Sequence, residues 1–175
     1  EEMGDTFRRG LLRAAGVRDD TLNLSQKLGG DRPTVLRVVV ELSAVLTDLN
    51  LTSNYIGNDG AVAIAEALKS GKAVLTSLNL YDNKIGAEGA KALAEALGSG
   101  KAVLTNLDLS YNELRAQGAK AIAEALKSGR AVLKNLDLPQ NSIGAEGAKA
   151  LAEALGSGMA VLTSLSLAAN NLTNY

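Results

Sequence analysis

Few side chains in this sequence have the type and spacing to do chemistry, and the clearest are two carboxylates. Asp108 and Asp137 lie 29 residues apart. If the fold brings them side by side, they could share a proton or hold a cation. Gly86-x-x-Gly89 has the outline of a phosphate-binding turn. It lacks the fuller G-x-x-x-x-G-K-[ST] and G-x-G-x-x-G patterns, and Glu88 and Glu146 put negative charge where a phosphate needs positive. There is no His, which removes the commonest general base and metal ligand. There is no Cys, which removes disulfides, thiolate metal sites and cysteine nucleophiles. Nothing supplies the nucleophile, oriented base and oxyanion donors of a hydrolytic site. The expectation is therefore two solvated carboxylates and a chain that is not an enzyme, with no cofactor and no metal.

Composition narrows the partners. Eighteen basic and nineteen acidic residues leave a formal charge of −1, so neither nucleic acid nor an anionic membrane is an expected partner. No apolar run is long enough to cross a membrane, and no signal peptide is read at the start. Three sequons, at Asn23, Asn50 and Asn171, would matter in a secreted protein. The expected location is cytoplasmic, with secretion left open. Apolar residues make up 46% of the chain but aromatics only 3%, so the core must be aliphatic.

The elements that position these residues follow from a repeat. Leu49, Leu78, Leu107, Leu136 and Leu165 recur every 29 residues, the signature of a solenoid. Each unit reads L-x-x-L-x-L-x-x-N-x-[IL], as in Leu75, Leu78, Leu80, Asn83 and Ile85. Alternation sends Leu78 and Leu80 to one side of a strand, and Ser77, Asn79 and Tyr81 to the other. After Gly86-Ala87-Glu88-Gly89, the residues Ala90, Leu93, Ala94 and Leu97 fall on one helix face. Gly98 or Gly100 can then end the helix in a left-handed conformation. Copies of such a βα unit stack as a parallel sheet with right-handed crossovers.

These residues resemble the leucine-rich repeat family, in the subtype of ribonuclease inhibitor, NOD-like receptors, the Ran GTPase-activating protein and tropomodulin. The resemblance covers about residues 46–172, with a weaker echo from Leu22. It implies a right-handed α/β solenoid, a horseshoe segment with strands on the concave face and helices on the convex one. Physical reasoning gives the same curvature, because strands stack about 4.8 Å apart whereas helices need roughly 10 Å. Segments 86–100 and 144–158 are identical, so units alternate with a period of 58. Ribonuclease inhibitor is similar in alternating two unit types.

The expected organisation is one domain over residues 1–175. Residues 1–45 form a cap plus a degenerate repeat, with helices over 5–15 and from Pro33 to about Ser43. Residues 46–175 hold the regular repeats, the last incomplete. Ending without a helix, that unit is expected to expose core leucines, so that either the chain is cut from a longer protein or another copy covers the end by self-association.

Asn54, Asn83, Asn112, Asn141 and Asn170 form a column at the strand ends, expected to bond loop backbone groups rather than a ligand. The candidate binding surface is the concave face, with Ser77, Asn79, Tyr81 and Asp82 from one unit, Asn106, Asp108 and Tyr111 from the next, and Asn135, Asp137 and Gln140 from a third. Tyr81 and Tyr111 are its aromatic anchors. Such a surface fits a basic or polar protein segment, which makes a non-catalytic protein-interaction scaffold the favoured reading. The alternatives are a structural or self-assembling solenoid, and a GTPase-activating protein similar to the Ran activator. For the latter, Arg115 is the local candidate, since it replaces the Gly at 57, 86 and 144, but the residues carry no catalytic role onto it. On the convex face, Lys91, Lys120 and Lys149 sit four residues before Glu95, Glu124 and Glu153, the spacing of helical ion pairs.

Overall fold

The computed structural model describes residues 21–26 and 45–172. The helices expected over 5–15 and 33–43, and the cap they would form, lie outside the described residues. Among the described residues there are six short strands and four helices: β1 (Thr21–Asn23), β2 (Asp48–Asn50), α1 (Gly57–Lys69), β3 (Ser77–Asn79), α2 (Ala87–Gly98), β4 (Asn106–Asp108), α3 (Arg115–Lys127), β5 (Asn135–Asp137), α4 (Gly144–Gly156) and β6 (Ser164–Ser166). All six strands form one parallel sheet in chain order. The register joins Leu22, Leu49, Leu78, Leu107, Leu136 and Leu165 in one row. The two residues missing between Leu22 and Leu49 therefore leave the strand pairing unshifted. This is an α/β solenoid, as the repeat leads one to expect.

Each strand is three residues long because its task is narrow. The central Leu points into the core, and its neighbours stay half-buried or exposed on the other face. The core runs between sheet and helices. Leu75, Leu78, Leu80 and Ile85 meet Leu93 and Leu97, all at most 2% exposed, and each adjoining unit repeats the set. Each such side chain contributes roughly 1.5–3 kcal/mol of burial. Between neighbouring helices the contact is made by small residues. Ala90, Ala96, Ala119 and Ala125 are buried there. A Cβ on Gly118 would stand 3.0 Å from those of Ala90 and Leu114, and one on Gly89 would stand 2.9 Å from that of Ala61. The second glycine of Gly-x-x-Gly is thus demanded by the closeness of the preceding unit, not by a turn.

The helix ends are built alike. Ser99 Oγ donates to Ala96 O at 2.6 Å and accepts from Lys101 N at 3.1 Å, and Ser70 and Ser128 repeat the arrangement. Of the two candidate glycines, Gly98 is the last helical residue, and Gly100, at φ +75°, makes the turn. The convex ion pairs differ from the expected i,i+4 set. Lys120 reaches Glu146 of the next unit at 3.2 Å. Lys69 and Lys127 each hold a glutamate three residues back and another on the following helix, Glu66 with Glu95 and Glu124 with Glu153. Helices packed through alanine and glycine bring these long side chains within reach of their neighbours, so the pairs cross between units. Exposed as they are, each contributes at most about 1 kcal/mol.

The asparagine column fastens the loops. Asn112 Nδ2 donates to Leu80 O, Leu109 O and Ser110 O at 2.9, 3.0 and 3.1 Å. Its Oδ1 accepts from Asn83 N and Ile85 N at 3.1 and 2.9 Å. Asn54, Asn83, Asn141 and Asn170 are likewise buried, and each donates to its own loop and to the loop of the unit before it. Burial of the whole column leaves it unavailable as a binding ladder. Replacing Asn112 by Leu strands two buried N–H groups and three carbonyls, and is expected to cost about 3 kcal/mol. Urea unfolding of the variant measures this, and an unchanged midpoint would contradict the role.

Candidate functional site

The strand residues pointing away from the core form two columns. The structure places Ser77, Asn106 and Asn135 in register, and beside them Asn79, Asp108 and Asp137. Tyr81 follows β3, and Asp82, Tyr111 and Gln140 stand one position further along their loops. These last three share a left-handed backbone, with φ of +52°, +56° and +55°, as do Ser53 and Ala169 at the same place in their units. A left-handed non-glycine residue costs about 1–2 kcal/mol, so each loop is held open against its own preference, and its exposed side chain is held in a fixed direction.

Hydrogen bonds along the face run both within a unit and between units. Asn79 Oδ1 accepts from Tyr81 N at 2.9 Å and from Thr52 Oγ1 at 3.1 Å. Asp108 Oδ1 accepts from Ser110 N and Oγ at 2.8 and 2.6 Å. Asn135 Nδ2 donates to Asn106 Oδ1, and Ser53 Oγ donates to Asp82 Oδ2 at 2.9 Å. The Tyr81 and Tyr111 rings stack with centroids 4.8 Å apart and planes tilted by 41°. Desolvation, then the Tyr111 neighbour and the Asp82 and Asp108 charges, push the Tyr81 hydroxyl above its ordinary pKa.

One contact was not read from the sequence. Lys84 Nζ lies 4.6 Å from the centre of the Tyr55 ring, joining adjacent loops by a cation–π contact. The residues are 29 apart, Tyr55 matching Lys84 in its own unit, so the same repeat arithmetic that aligned the aspartates would have found it.

The two aspartates are neighbours on β4 and β5. Burial first and the Asp108 charge second raise the pKa of Asp137. Among the described residues no group of three or more acidic, His or Cys side chains converges as a metal site. The Gly86-x-x-Gly89 turn is already filled. Asn58 Oδ1 accepts from Gly86 N at 2.8 Å and Gly89 N at 3.0 Å, taking the donors an anion would need.

The repeat geometry matches what comparison with known proteins returns. The family model described as Leucine Rich repeat matches residues 43–65, 72–94, 101–123 and 131–152, more than half of the chain. The chain belongs to the leucine-rich repeat family. No curated protein matches it. Leucine-rich repeats are generally protein-interaction modules, and the family is typically non-catalytic.

Arg115 departs from the other repeats. It opens α3 at φ +55°, where Gly57 and Gly144 stand at +65°. Its N–H donates to Asn141 O at 3.0 Å, which holds the backbone in that conformation. Arg115→Gly should relieve the left-handed cost and raise stability by about 1 kcal/mol, or roughly 3 °C in Tm. A Tm that falls in differential scanning calorimetry would show the arginine side chain to be stabilising.

A second prediction comes from Asp137. Its folded pKa is raised, so between the unfolded and folded values the native state binds more protons and stability falls as pH rises. Asp137→Asn removes this burden. The variant should be more stable than the parent at pH 7, and the advantage should vanish as pH drops below the unfolded carboxylate value of about 3.9. Denaturation midpoints across that range check the sign.

Proposed function

We propose that this leucine-rich repeat segment is a non-catalytic interaction scaffold that binds a basic or polar protein segment on its concave strand face. One observation carries the reading. The open face sets the stacked Tyr81 and Tyr111 rings near the carboxylates of Asp82 and Asp108, and Asp108 adjoins Asp137 on the next strand, where the two repel one another. Among the described residues none of the three is in an ion pair. An arriving Lys or Arg side chain would relieve that repulsion and find an aromatic surface to pack on. The neighbouring Asn79, Asn106, Asn135 and Gln140 offer amide groups for a partner's backbone. Small polar side chains dominate the rest, so the affinity rests on few anchors.

We also infer the ribonuclease inhibitor and NOD-like receptor subtype. Its support is a helix of 12–13 residues in each full unit and the alternation with a period of 58.

The test is nuclear magnetic resonance titration with arginine-containing and glutamate-containing peptides of equal length. Arginine peptides should shift the amides of Asn79, Tyr81, Tyr111 and Asp137. Replacing Tyr81 and Tyr111 together by Ala should cost at least about 2 kcal/mol of binding. Shifts confined to the helices, or undiminished affinity in the double variant, would move the site elsewhere.

A further inference from the structure

The segments that return from helix to strand carry a second surface, at the opposite ends of the strands from the tyrosines. Residues 72–76, 101–105 and 130–134 alternate outward and inward. Lys72 and Val74 are exposed while Ala73 and Leu75 are buried, and the next two segments repeat the pattern. A period of two puts the basic residue and the valine on one face. Stacking the units then makes two columns. Val74, Val103 and Val132 are 43%, 43% and 44% exposed, whereas the leucines beside them are sealed in the core.

The cations are held in line by packing. The Lys101 stem lies 3.8 Å from where a Cβ on Gly71 would stand, and the Arg130 stem 3.6 Å from the same point on Gly100. Lys101 and Arg130 thus lean over the glycine of the preceding unit. Among the described residues no carboxylate pairs with Lys72, Lys101, Arg130 or Lys134. The glutamates of the last helical turns are taken up by Lys69 and Lys127. Segments 70–76, 99–105 and 128–134 contain no Asp or Glu.

We propose that this edge docks an acidic protein segment in extended conformation, its aliphatic side chains on the valine column and its carboxylates on the cation column. Charge complementarity selects the occupant, because four cations that pair with no carboxylate among the described residues stand on segments that contain no Asp or Glu. The spacing suits an extended chain. Its same-side residues recur every ~6.8 Å, a step that lies between the ~4.8 Å of the strands and the ~10 Å of the helices. A lipid surface fits less well, since interfacial binding uses Trp, Phe and Leu, and the outward side chains here are valines. Single-stranded nucleic acid is bound on aromatic platforms, and these segments hold no aromatic residue.

The experiment is fluorescence anisotropy of a labelled dodecapeptide of alternating Glu and Val titrated with the full chain. Saturable binding that weakens with added salt is expected. The triple variants Lys72→Glu/Lys101→Glu/Arg130→Glu and Val74→Ser/Val103→Ser/Val132→Ser should each lose at least about tenfold in affinity, roughly 1.4 kcal/mol. Tyr81→Ala/Tyr111→Ala should bind this peptide unchanged, which separates the edge from the concave face. Circular dichroism checks that each variant is folded, and Lys72→Gln/Lys101→Gln/Arg130→Gln replaces the reversal if it is not. No saturable binding, equal binding of a Lys-Val peptide, or unchanged affinity in both triple variants would overturn the proposal. Binding of phosphatidylserine vesicles or single-stranded RNA in place of the peptide would overturn it as well.

Discussion

The buried asparagine is the constraint on which the other features of this solenoid depend. Between each strand and helix the chain must turn sharply, and backbone bonds to the next unit, such as Asp82 N to Ser110 O and Gly57 N to Asn83 O, satisfy only part of the loop. The turn uses left-handed residues such as Asp82 and Lys84, or Gln140 and Ser142, whose cost is about 1–2 kcal/mol each. Asn112 alone makes five hydrogen bonds, to its own loop and to the loop before it. Because the bonds run both ways, no loop is held by its own unit alone. Stability therefore propagates from neighbour to neighbour, as a one-dimensional stack requires.

Core and ladder divide the work. The leucine and alanine interior supplies burial but no direction, since aliphatic contacts are nearly isotropic. The asparagine bonds supply direction and fix where each strand ends. The close approach of Gly89 and Gly118 to the preceding helix fixes the remaining spacing, because a Cβ there would collide with Ala61 or Ala90. With ends and spacing set, the strand residues facing away from the core are free to differ between units. That freedom is visible in Ser77, Asn106, Asn135 and Ser164, which share one position.

Much of this could be read from the sequence because the repeat supplies long-range contacts directly. A spacing of 29 identifies spatial neighbours, so the strand register, the leucine row and the pairing of Asp108 with Asp137 followed from counting. Less legible was whatever depends on the neighbouring unit rather than on the residue itself. Segments 86–100 and 144–158 have the same sequence, yet Gly86 is extended at φ −91° while Gly144 is left-handed at +65°. The cause lies one unit earlier. Asn58 reaches Gly86 N and Gly89 N, whereas Ala116, which stands in the matching place before Gly144, has no group to offer. Gly144 N donates instead to Asn170 O. Local sequence was identical and local structure was not, because one amide side chain in the preceding repeat decided it. The expected helical i,i+4 ion pairs failed for a related reason: Lys69 and Lys127 lie close enough to the next helix to reach across it.

The placement of charge follows from the same stacking. Parallel helices align their dipoles, so every helix N-terminus lies on the edge that carries Asp82 and the tyrosines, and every C-terminus on the edge of the valines. Carboxylates near the first edge and cations near the second are each favoured by about 0.3–1 kcal/mol. Glu88 and Glu146 in first turns, and Lys69 and Lys127 in last turns, obey this. The dipole accounts for the sign on each edge but not for the valines. Val74, Val103 and Val132 gain nothing from it, and polar side chains would fit those outward positions without disturbing the buried Ala and Leu beside them. The repeat nevertheless keeps a valine at that position in five units, Val45 and Val161 included, and in three of them a cation stands two residues before it. Helix electrostatics thus accounts for the cations of that edge and leaves the valine column to the docking proposed for it.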